Sequence, residues 1–365
     1  MDSITQGLLG ATIGQTFFGH KLGGRAAIWG AVAGIVPDLD FVAAGIAGPF
    51  GEMVTHRGTS HALWFAPLLA LPLSFAVWRI QRWKHAHEFG GAGKRSPGTF
   101  GTWFMLFLLA IITHPLLDIF TSYGTQLFAP FSRHRYALHG VSIVDPVYSL
   151  ILVFALLLGT RFGKHPIVGT IAGATALVLT TSYLFYGTAL NQRAKAIAKA
   201  DLEQQHHEVR HIEAYPTFFQ VYQRRIVART RDRIFVGDLT LWPDTPHLRW
   251  ASYTPPDNTL IGKTLNTNKG RIFKWFSANE LAPQIEPTKD GYTAVTIDDL
   301  RYGFIESKLK GIWGIRAIYD KEGRLVGEIE RYQHRFPAPF SVMLRNLLTD
   351  TFDPSPNNVA EEKIG

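Results

Sequence analysis

The sequence predicts an α-helical multi-span membrane domain of about five or six helices, followed by a small, mainly β soluble domain. Three observations lead there. Charged residues make up only 18% of the 365 positions, and they are unevenly placed. Residues 1–187 hold 12 Lys/Arg and 7 Asp/Glu, whereas residues 188–365 hold 25 and 22. Such a step excludes a uniform globular chain and a largely disordered one. The second observation is a set of apolar runs in the first half that approach the roughly 20 residues needed to cross a bilayer. The third is a change of period beyond residue 211, where short alternating runs are split by turn residues. The boundaries that follow are 1–190 for the membrane domain, 191–211 for a polar helical linker, 212–349 for the β domain and 350–365 for a flexible tail.

The elements follow in order. Met1-Asp2-Ser3 opens the chain without a basic stretch, so no cleavable signal peptide is expected. Ile4–Gly19 and Ala26–Val36 are short apolar segments, read as a tight helical hairpin turning at His20–Arg25. Gly7, Gly10 and Gly14 share one helical face, and Gly30/Gly34 and Gly169/Gly173 have G-x-x-x-G spacing. Small residues of this kind let helix backbones approach closely in lipid. His61–Trp78 is a candidate span kinked by Pro67 and Pro72. Thr99–Phe120, Val141–Thr160 and Ile167–Leu190 are long enough to span. In the second half, strands are expected at Phe218–Val227, Arg233–Leu241, His247–Ser252, Ala294–Ile297, Gly311–Tyr319 and Arg324–Tyr332. Asp257-Asn258, Asn268-Lys269-Gly270, Lys289-Asp290-Gly291 and Lys321-Glu322-Gly323 read as the turns between several of them.

Orientation follows from Lys and Arg in short loops. Arg79, Arg82, Lys84, Lys94 and Arg95 place the loop Arg79–Pro97 in the cytoplasm, and Arg161, Lys164, Lys21 and Arg25 agree. Pro37–Ser60, Asp118–Gly140 and everything beyond about Leu190 then lie outside. The Arg133-His134-Arg135 cluster opposes this bias. The chain has no cysteine, which excludes disulfides, thiolate zinc sites and a Cys nucleophile. Of the net charge of +8, only +3 comes from residues 188–365, so the basic balance gives no reason to expect nucleic-acid binding.

The first half carries seven carboxylates: Asp2, Asp38, Asp40, Glu52, Glu88, Asp118 and Asp145. Five of them lie at ends of apolar segments assigned to one side, where His56, His61 and His114 join them. Ionisable groups at membrane depth are costly unless paired or hydrated, and a divalent cation would offset the repulsion among the carboxylates. His114-Pro115-Leu116-Leu117-Asp118 puts an imidazole and a carboxylate on one helical face, in reach of one ion. Asp38 and Asp40 in Pro37-Asp38-Leu39-Asp40 either point at one site or cap the helix that follows. His56-Arg57-Gly58-Thr59-Ser60-His61 offers two imidazoles and a guanidinium suited to an anionic oxygen; the alternative is a loop facing lipid headgroups. Thr121–Thr125, with Arg133 and Arg135, would form a phosphate pocket or a second headgroup-facing loop. Asp145 is a helix cap or a partner of a ligand, the cap being preferred.

Met1-Asp2-Ser3-Ile4-Thr5-Gln6, Pro37–Asp40, His56–His61, His114–Asp118, Thr121–Thr125 and Pro130-Phe131-Ser132 occur in this order. Together they resemble the YdjM-type family of bacterial inner-membrane proteins, described as metal-dependent hydrolases. The resemblance covers about residues 1–150. It implies a metal cluster of Asp38, Asp40, His56, His61, His114 and Asp118. Many relatives carry Thr-His in the opening motif where this chain has Thr5-Gln6, so the ligand the resemblance implies at position 6 is missing.

The expectation is a hydrolase of a phosphoester or lipid headgroup, using one or two divalent metals, zinc or manganese. His61, His114 and Asp118 would hold the principal ion, and Asp38 and Asp40 would bridge or hold a second. His56 would be a ligand or general acid, and Arg57, Arg133 and Arg135 would neutralise the substrate. The partner would be a membrane lipid or lipid-linked molecule, with no nucleic acid. The location would be the bacterial inner membrane, multi-pass, with the soluble domain on the periplasmic side. The rival expectation is a transporter or a scaffold and sensor that uses the same cluster to bind ions.

Overall fold

A computed structural model describes residues 1–88, 96–161, 166–242, 247–303 and 309–334, with 339, 341–342, 344–345 and 349. Lys94, Arg95 and Lys164 of the basic loops, and the tail from Asp350, lie outside the described residues. The chain divides into two compact units. Met1–Thr188 with Phe218–Gln220 forms the first, and Ala189–Thr217 with the chain from Val221 onward forms the second.

The first unit is helical. Helix α1 (Ser3–Ile13) starts under an Asp2 cap whose carboxylate accepts the Thr5 amide at 3.0 Å. It runs through a π-helical turn (Gly14–Phe18) into α2 (Gly19–Leu22). Gly23 then reverses the chain with a φ of +63°, which only glycine adopts freely, and α3 (Gly24–Ile35) returns along α1. The expected hairpin is therefore present. A Cβ on Gly10 would strike the Gly30 carbonyl, one on Gly30 the Gly10 carbonyl, and one on Gly14 the Ala26 carbonyl. The two helices thus pack backbone against backbone. Gly173 faces the Thr16 hydroxyl, and Gly169 lies against Gly159 and Gln15, so the second G-x-x-x-G pair also marks a helix contact.

A 3-10 turn (Val36–Leu39), α4 (Asp40–Ile46), α5 (Gly48–Thr55) and a second 3-10 turn (Thr59–His61) lead into α6 (Phe65–Glu88). Helix α7 (Phe100–Asp118) follows, then α8 (Pro146–Arg161) and α9 (Pro166–Gln204). Trp103, Leu106, Phe107, Ala110 and Ile111 of α7 pack with Leu22, Ala26 and Ala33 of the hairpin and with Ala66, Ala70 and Val77 of α6. Among the described residues, Gly24–Ile46, Phe100–Asp118 and Ile167–Gln204 are long and apolar enough to cross a membrane. Gly48–His61 with Phe65–His87, bent by 71°, gives a fourth if it counts as one span. Helices α1 and α8, with 11 and 16 residues, fall short of the roughly 20 required. The polar stretch beginning at Asn191 is the continuation of α9 as far as Gln204, because no glycine or proline interrupts it.

The second unit has two four-stranded antiparallel sheets, each in sequential order. The first contains β1 (His211–Pro216), β2 (Gln223–Arg229), β3 (Ile234–Thr240) and β4 (His247–Tyr253). Helices α10 (Thr259–Asn266) and α11 (Asn268–Phe276) precede β5 (Leu281–Pro287), β6 (Thr293–Asp299), β7 (Trp313–Tyr319) and β8 (Leu325–Gln333). Strands β1 and β5 were not expected from the sequence. Both are edge strands, which tolerate Pro216, Pro283 and Pro287 that a central strand would not. The expected turn at Asn268-Lys269-Gly270 is instead the first turn of α11, because Thr267 caps it by accepting the Gly270 amide at 3.0 Å. Lys289–Gly291 and Lys321–Gly323 are turns, with positive φ at both glycines.

Glu280, almost fully buried, joins the two sheets. It accepts from His211 Nε2 at 2.7 Å, Tyr215 Oη at 3.2 Å and Arg229 Nε at 3.3 Å. The hydrogen bond that His211 donates to Glu280 raises its imidazole above its ordinary value, against a smaller opposing effect of burial. A raised histidine contributes stability that is complete below about pH 6.5 and is lost as pH climbs through the raised value. Hydrogen exchange in β1 is therefore expected to speed up across that interval. His211→Gln should flatten the dependence, and an unchanged pH slope in that variant would refute the assignment.

Gly30→Val is expected to cost about 3 kcal/mol or more, since the obstacle is backbone and cannot rotate away. Gly101→Ala on α7 meets nothing within 4 Å and should leave the thermal midpoint in detergent unchanged or slightly higher. Equal midpoints for Gly30→Val and the parent chain would show that the helices do not pack in this way.

Candidate metal centre

The hairpin contact sets the floor of the site. Packing of α1 on α3 brings Gln6 beside Gly34, whose Cβ, if it had one, would reach the Gln6 carbonyl at 2.5 Å. The Gly34 carbonyl in turn faces α7, where it accepts from His114 Nδ1 at 2.6 Å. A carbonyl can only accept, so Nδ1 carries the proton and a neutral His114 turns its Nε2 lone pair inward.

His61 is fixed by the same logic from the other side. Ser60 Oγ donates to Asp40 Oδ2 at 2.6 Å, and Asp40 is also 3.3 Å from His61 Nδ1. With its proton committed to Asp40, Ser60 Oγ accepts from His61 Nδ1 at 2.9 Å. The His61 Nε2 lone pair is then also free. The two Nε2 atoms face each other at 3.1 Å. Asp38 Oδ1 completes the group, 3.2 Å from His114 Nε2 and 3.6 Å from His61 Nε2. Its other oxygen accepts from Ser3 Oγ at 2.6 Å.

Asp38, His61 and His114 are all buried and can hold a metal ion. The spacing fits one. Donors about 2.0–2.1 Å from a tetrahedral ion stand roughly 3.3 Å apart. Chemistry fits as well, because imidazole nitrogen and carboxylate oxygen together suit a borderline divalent cation. Asp118 supplies an independent test. Gln6 Nε2 donates to its Oδ1 at 3.0 Å, and the Met1 amino group contacts the same oxygen. Oδ2 is buried without a hydrogen bond, 3.4 Å from His61 Nε2, 3.6 Å from His114 Nε2 and 3.3 Å from Arg57 Nε. Arg57 offsets the charge of this oxygen without hydrogen-bonding to it, and a metal ion would give it a direct partner.

The remaining expected residues occupy distinct places. Asp40 and His56 form a pair one layer out, with His56 Nδ1 2.8 Å from Asp40 Oδ1. Arg57 adopts a positive φ of 58°, donates from NH1 to Thr121 Oγ1 at 2.9 Å and lies over the Tyr123 ring. Arg135 lies over the same ring, but its guanidinium donates to the carbonyls of Tyr123, Gly124 and Met53. Arg133 is exposed. Asp145 caps α8, accepting the Tyr148 amide at 3.1 Å and the Tyr183 hydroxyl at 2.9 Å. Sequence reasoning missed the Gly34 carbonyl and the two serines that orient Asp38 and His61. Ser3 and Ser60 lie inside quoted motifs, whereas a backbone carbonyl leaves no mark in a sequence.

Residues 1–194 match the family model described as YdjM inner membrane protein. The chain belongs to the YdjM inner membrane protein family. The match contains every residue of the cluster and ends inside α9, before the first sheet. The apolar helices agree with a membrane location for a member of this family. No curated protein and no solved structure matches the chain.

Side chains that orient ligands affect affinity without providing it. Asp40→Asn is expected to weaken zinc binding by about 10–100-fold in a competitive chelator titration. His61→Ala should abolish stoichiometric binding. Parental affinity in Asp40→Asn would separate Asp40 from the centre.

Proposed function

We propose that this YdjM-family member is a membrane-bound, metal-dependent hydrolase acting on a phosphoester or lipid headgroup at the membrane surface. The observation that carries the reading is the pair of Nε2 atoms 3.1 Å apart, each on a ring whose other nitrogen is engaged, with Asp38 beside them. His61, His114 and Asp38 would hold the ion, zinc or manganese, with Asp118 supplying further negative charge. When bound, such an ion supplies Lewis acidity toward a phosphoryl oxygen and acidifies water near neutral pH.

The chain's own groups divide the remaining work. Exposure rises from zero at the His61, His114 and Asp118 side chains to 10% at Asp40 and 22% at His56. Substrate would therefore approach from the His56 side. His56, held through Nδ1 by Asp40, is placed to give a proton to the leaving group. Arg57 is held by Thr121 and Tyr123 and would neutralise the substrate's anionic oxygens. Arg135 is committed to carbonyls and would act by fixing Tyr123. Short helices α1 and α8 embedded among the longer ones would bring the membrane part to five or six. Arg79, Arg82 and Lys84 on α6 support a cytoplasmic position for that end and a periplasmic one for the soluble domain.

Complete burial of His61, His114 and Asp118 favours a second reading, a closed site that stabilises the fold or binds ions without hydrolysis. Two measurements on full-length protein in nanodiscs separate them. The hydrolase reading expects the metal-loaded protein to release headgroup phosphate from phospholipids. Asp118→Ala should lower that turnover about 100-fold or more while leaving membrane insertion intact. A loaded protein without turnover whose thermal midpoint falls on chelation would establish the closed site instead.

A further inference from the structure

The segment that joins Asp38 to His61 carries an apolar surface that the metal centre does not use. Asp38 and Asp40 stand at the start of α4, and His56, Arg57 and His61 follow α5. Between them, residues 41–51 include no Asp, Glu, Lys or Arg. Helix α3 alone has 12 residues and a length of about 18 Å, short of the roughly 30 Å of hydrocarbon in a bilayer. The stretch becomes long enough to cross only when the 3-10 turn and α4 are added, since Gly24–Ile46 has 23 residues and a length of about 34 Å. Asp38 stands about 12 Å short of Ile46 along this stretch. The apolar run therefore continues beyond the metal centre.

Its side chains face outward. Leu39, Val42 and Ile46 are spaced to share a helical face, and all are exposed, Ile46 at 85%. Phe41 beside them is exposed too, and Ala44 is the buried residue of α4. A Cβ on Gly45 or Gly48 would meet nothing within 4 Å among the described residues, so this tip is unpacked. Gly48 turns the chain with a φ of +74°, and α5 leads back to the rest of the unit. There Met53 is buried, and the carbonyls of Met53 and Val54 accept from Arg135 and Gln126. Asp40 closes the base, 2.8 Å from His56 Nδ1 and accepting the Arg57 amide at 3.1 Å. Helices α4 and α5 thus form a lobe rooted in the outer layer of the centre.

We propose that this lobe is seated in the acyl chains of the leaflet beside the metal centre. The occupant of its surface is lipid. Continuity with the Gly24–Ile46 stretch is the first reason, because α4 is the part that makes that stretch long enough to cross. Composition is the second. Branched and aromatic side chains exposed to water gain nothing from their position, whereas acyl chains cover them. Residues 41–51 bring no charge into that layer, which is what lipid requires. On this reading the part of the chain expected outside the membrane returns into it. The Asp40–His56 edge of the centre then lies at the root of a lipid-seated lobe, whether the centre hydrolyses a substrate or only binds an ion.

The absence of cysteine makes the test direct. Val42→Cys, Ile46→Cys and Lys84→Cys would each be spin-labelled in full-length protein in nanodiscs of phosphatidylethanolamine and phosphatidylglycerol. Lys84, charged and exposed near the end of α6, is the water-facing reference. Accessibility to dissolved oxygen and to a water-soluble nickel chelate is then compared. The oxygen-to-nickel ratio is expected to be about tenfold higher at 42 and 46 than at 84, since hydrocarbon excludes a polar chelate. Equal ratios at the three positions would overturn the proposal, because the lobe would then face water. Labels at 42 and 46 shielded from both reagents would overturn it too, by making the surface a contact with protein, a second copy included. Both lobe positions are exposed, so neither label displaces a packed side chain.

Discussion

Two imidazole nitrogens that face each other at 3.1 Å, each with its proton spoken for on the opposite side of the ring, form the constraint on which the rest of the site depends. Neutral rings so arranged bring two lone pairs together, with the carboxylate of Asp38 beside them and the Asp118 oxygen that accepts no hydrogen bond close by. One added proton shared between the two Nε2 atoms would remove that conflict, and so would a bound cation. A divalent cation resolves it, because each donor then gains a partner of opposite sign. The arrangement is stable to rotation of either ring, since Gly34 holds one and the Ser60–Asp40 pair holds the other.

The requirement reaches into the packing of the helices. His114 finds its acceptor because α3 passes close enough to α7 to present a carbonyl, and α3 in turn rests on α1 without intervening side chains. The Gly10–Gly30 contact and the Gly34–Gln6 contact belong to one seam. Gln6, at the end of that seam, donates to both the Asp118 carboxylate and the His114 carbonyl. Where relatives are expected to offer a histidine, this chain has an amide that orients a carboxylate. At position 6 of this chain the amide holds Asp118, and Asp38, His61 and His114 meet beside it.

What the sequence disclosed follows from which interactions leave a local trace. The i, i+4 spacing of His114 and Asp118 put both on one face of α7, and the glycine spacing announced the hairpin, because helical period alone determines both. The division between helical and β parts was legible from charge density. Strands β1 and β5 were hidden because their prolines read as breakers, which holds for central strands and not for edges. Asn268–Gly270 looked like a turn because a Thr cap two helices into the unit has no hydrophobic period to announce it. The serine and carbonyl partners of the cluster were hidden for a different reason. Ser3 lies 35 residues from Asp38 and the Gly34 carbonyl 80 from His114, while Ser60 adjoins His61 but is set by Asp40, 20 residues away, so only the folded chain reveals the pairings.

Burial decides how a cluster of this kind can be used. Groups shut away from solvent bind an ion tightly because water does not compete for it, yet a substrate must still reach them. Along the path from Asp118 through His61 and Asp40 to His56, exposure rises only at the last two. A substrate arriving from that direction meets an imidazole held by a carboxylate first and the buried donors afterwards, and it meets Arg57 between them. On the proposed reading, a small anionic headgroup satisfies this order better than a large soluble molecule. Its charge is compact, its tail stays in the lipid that surrounds the helices, and membrane anchoring holds it at the level where the path begins. The same order would apply to an ion entering alone, which is why turnover and metal content, measured together, separate the two uses of one geometry.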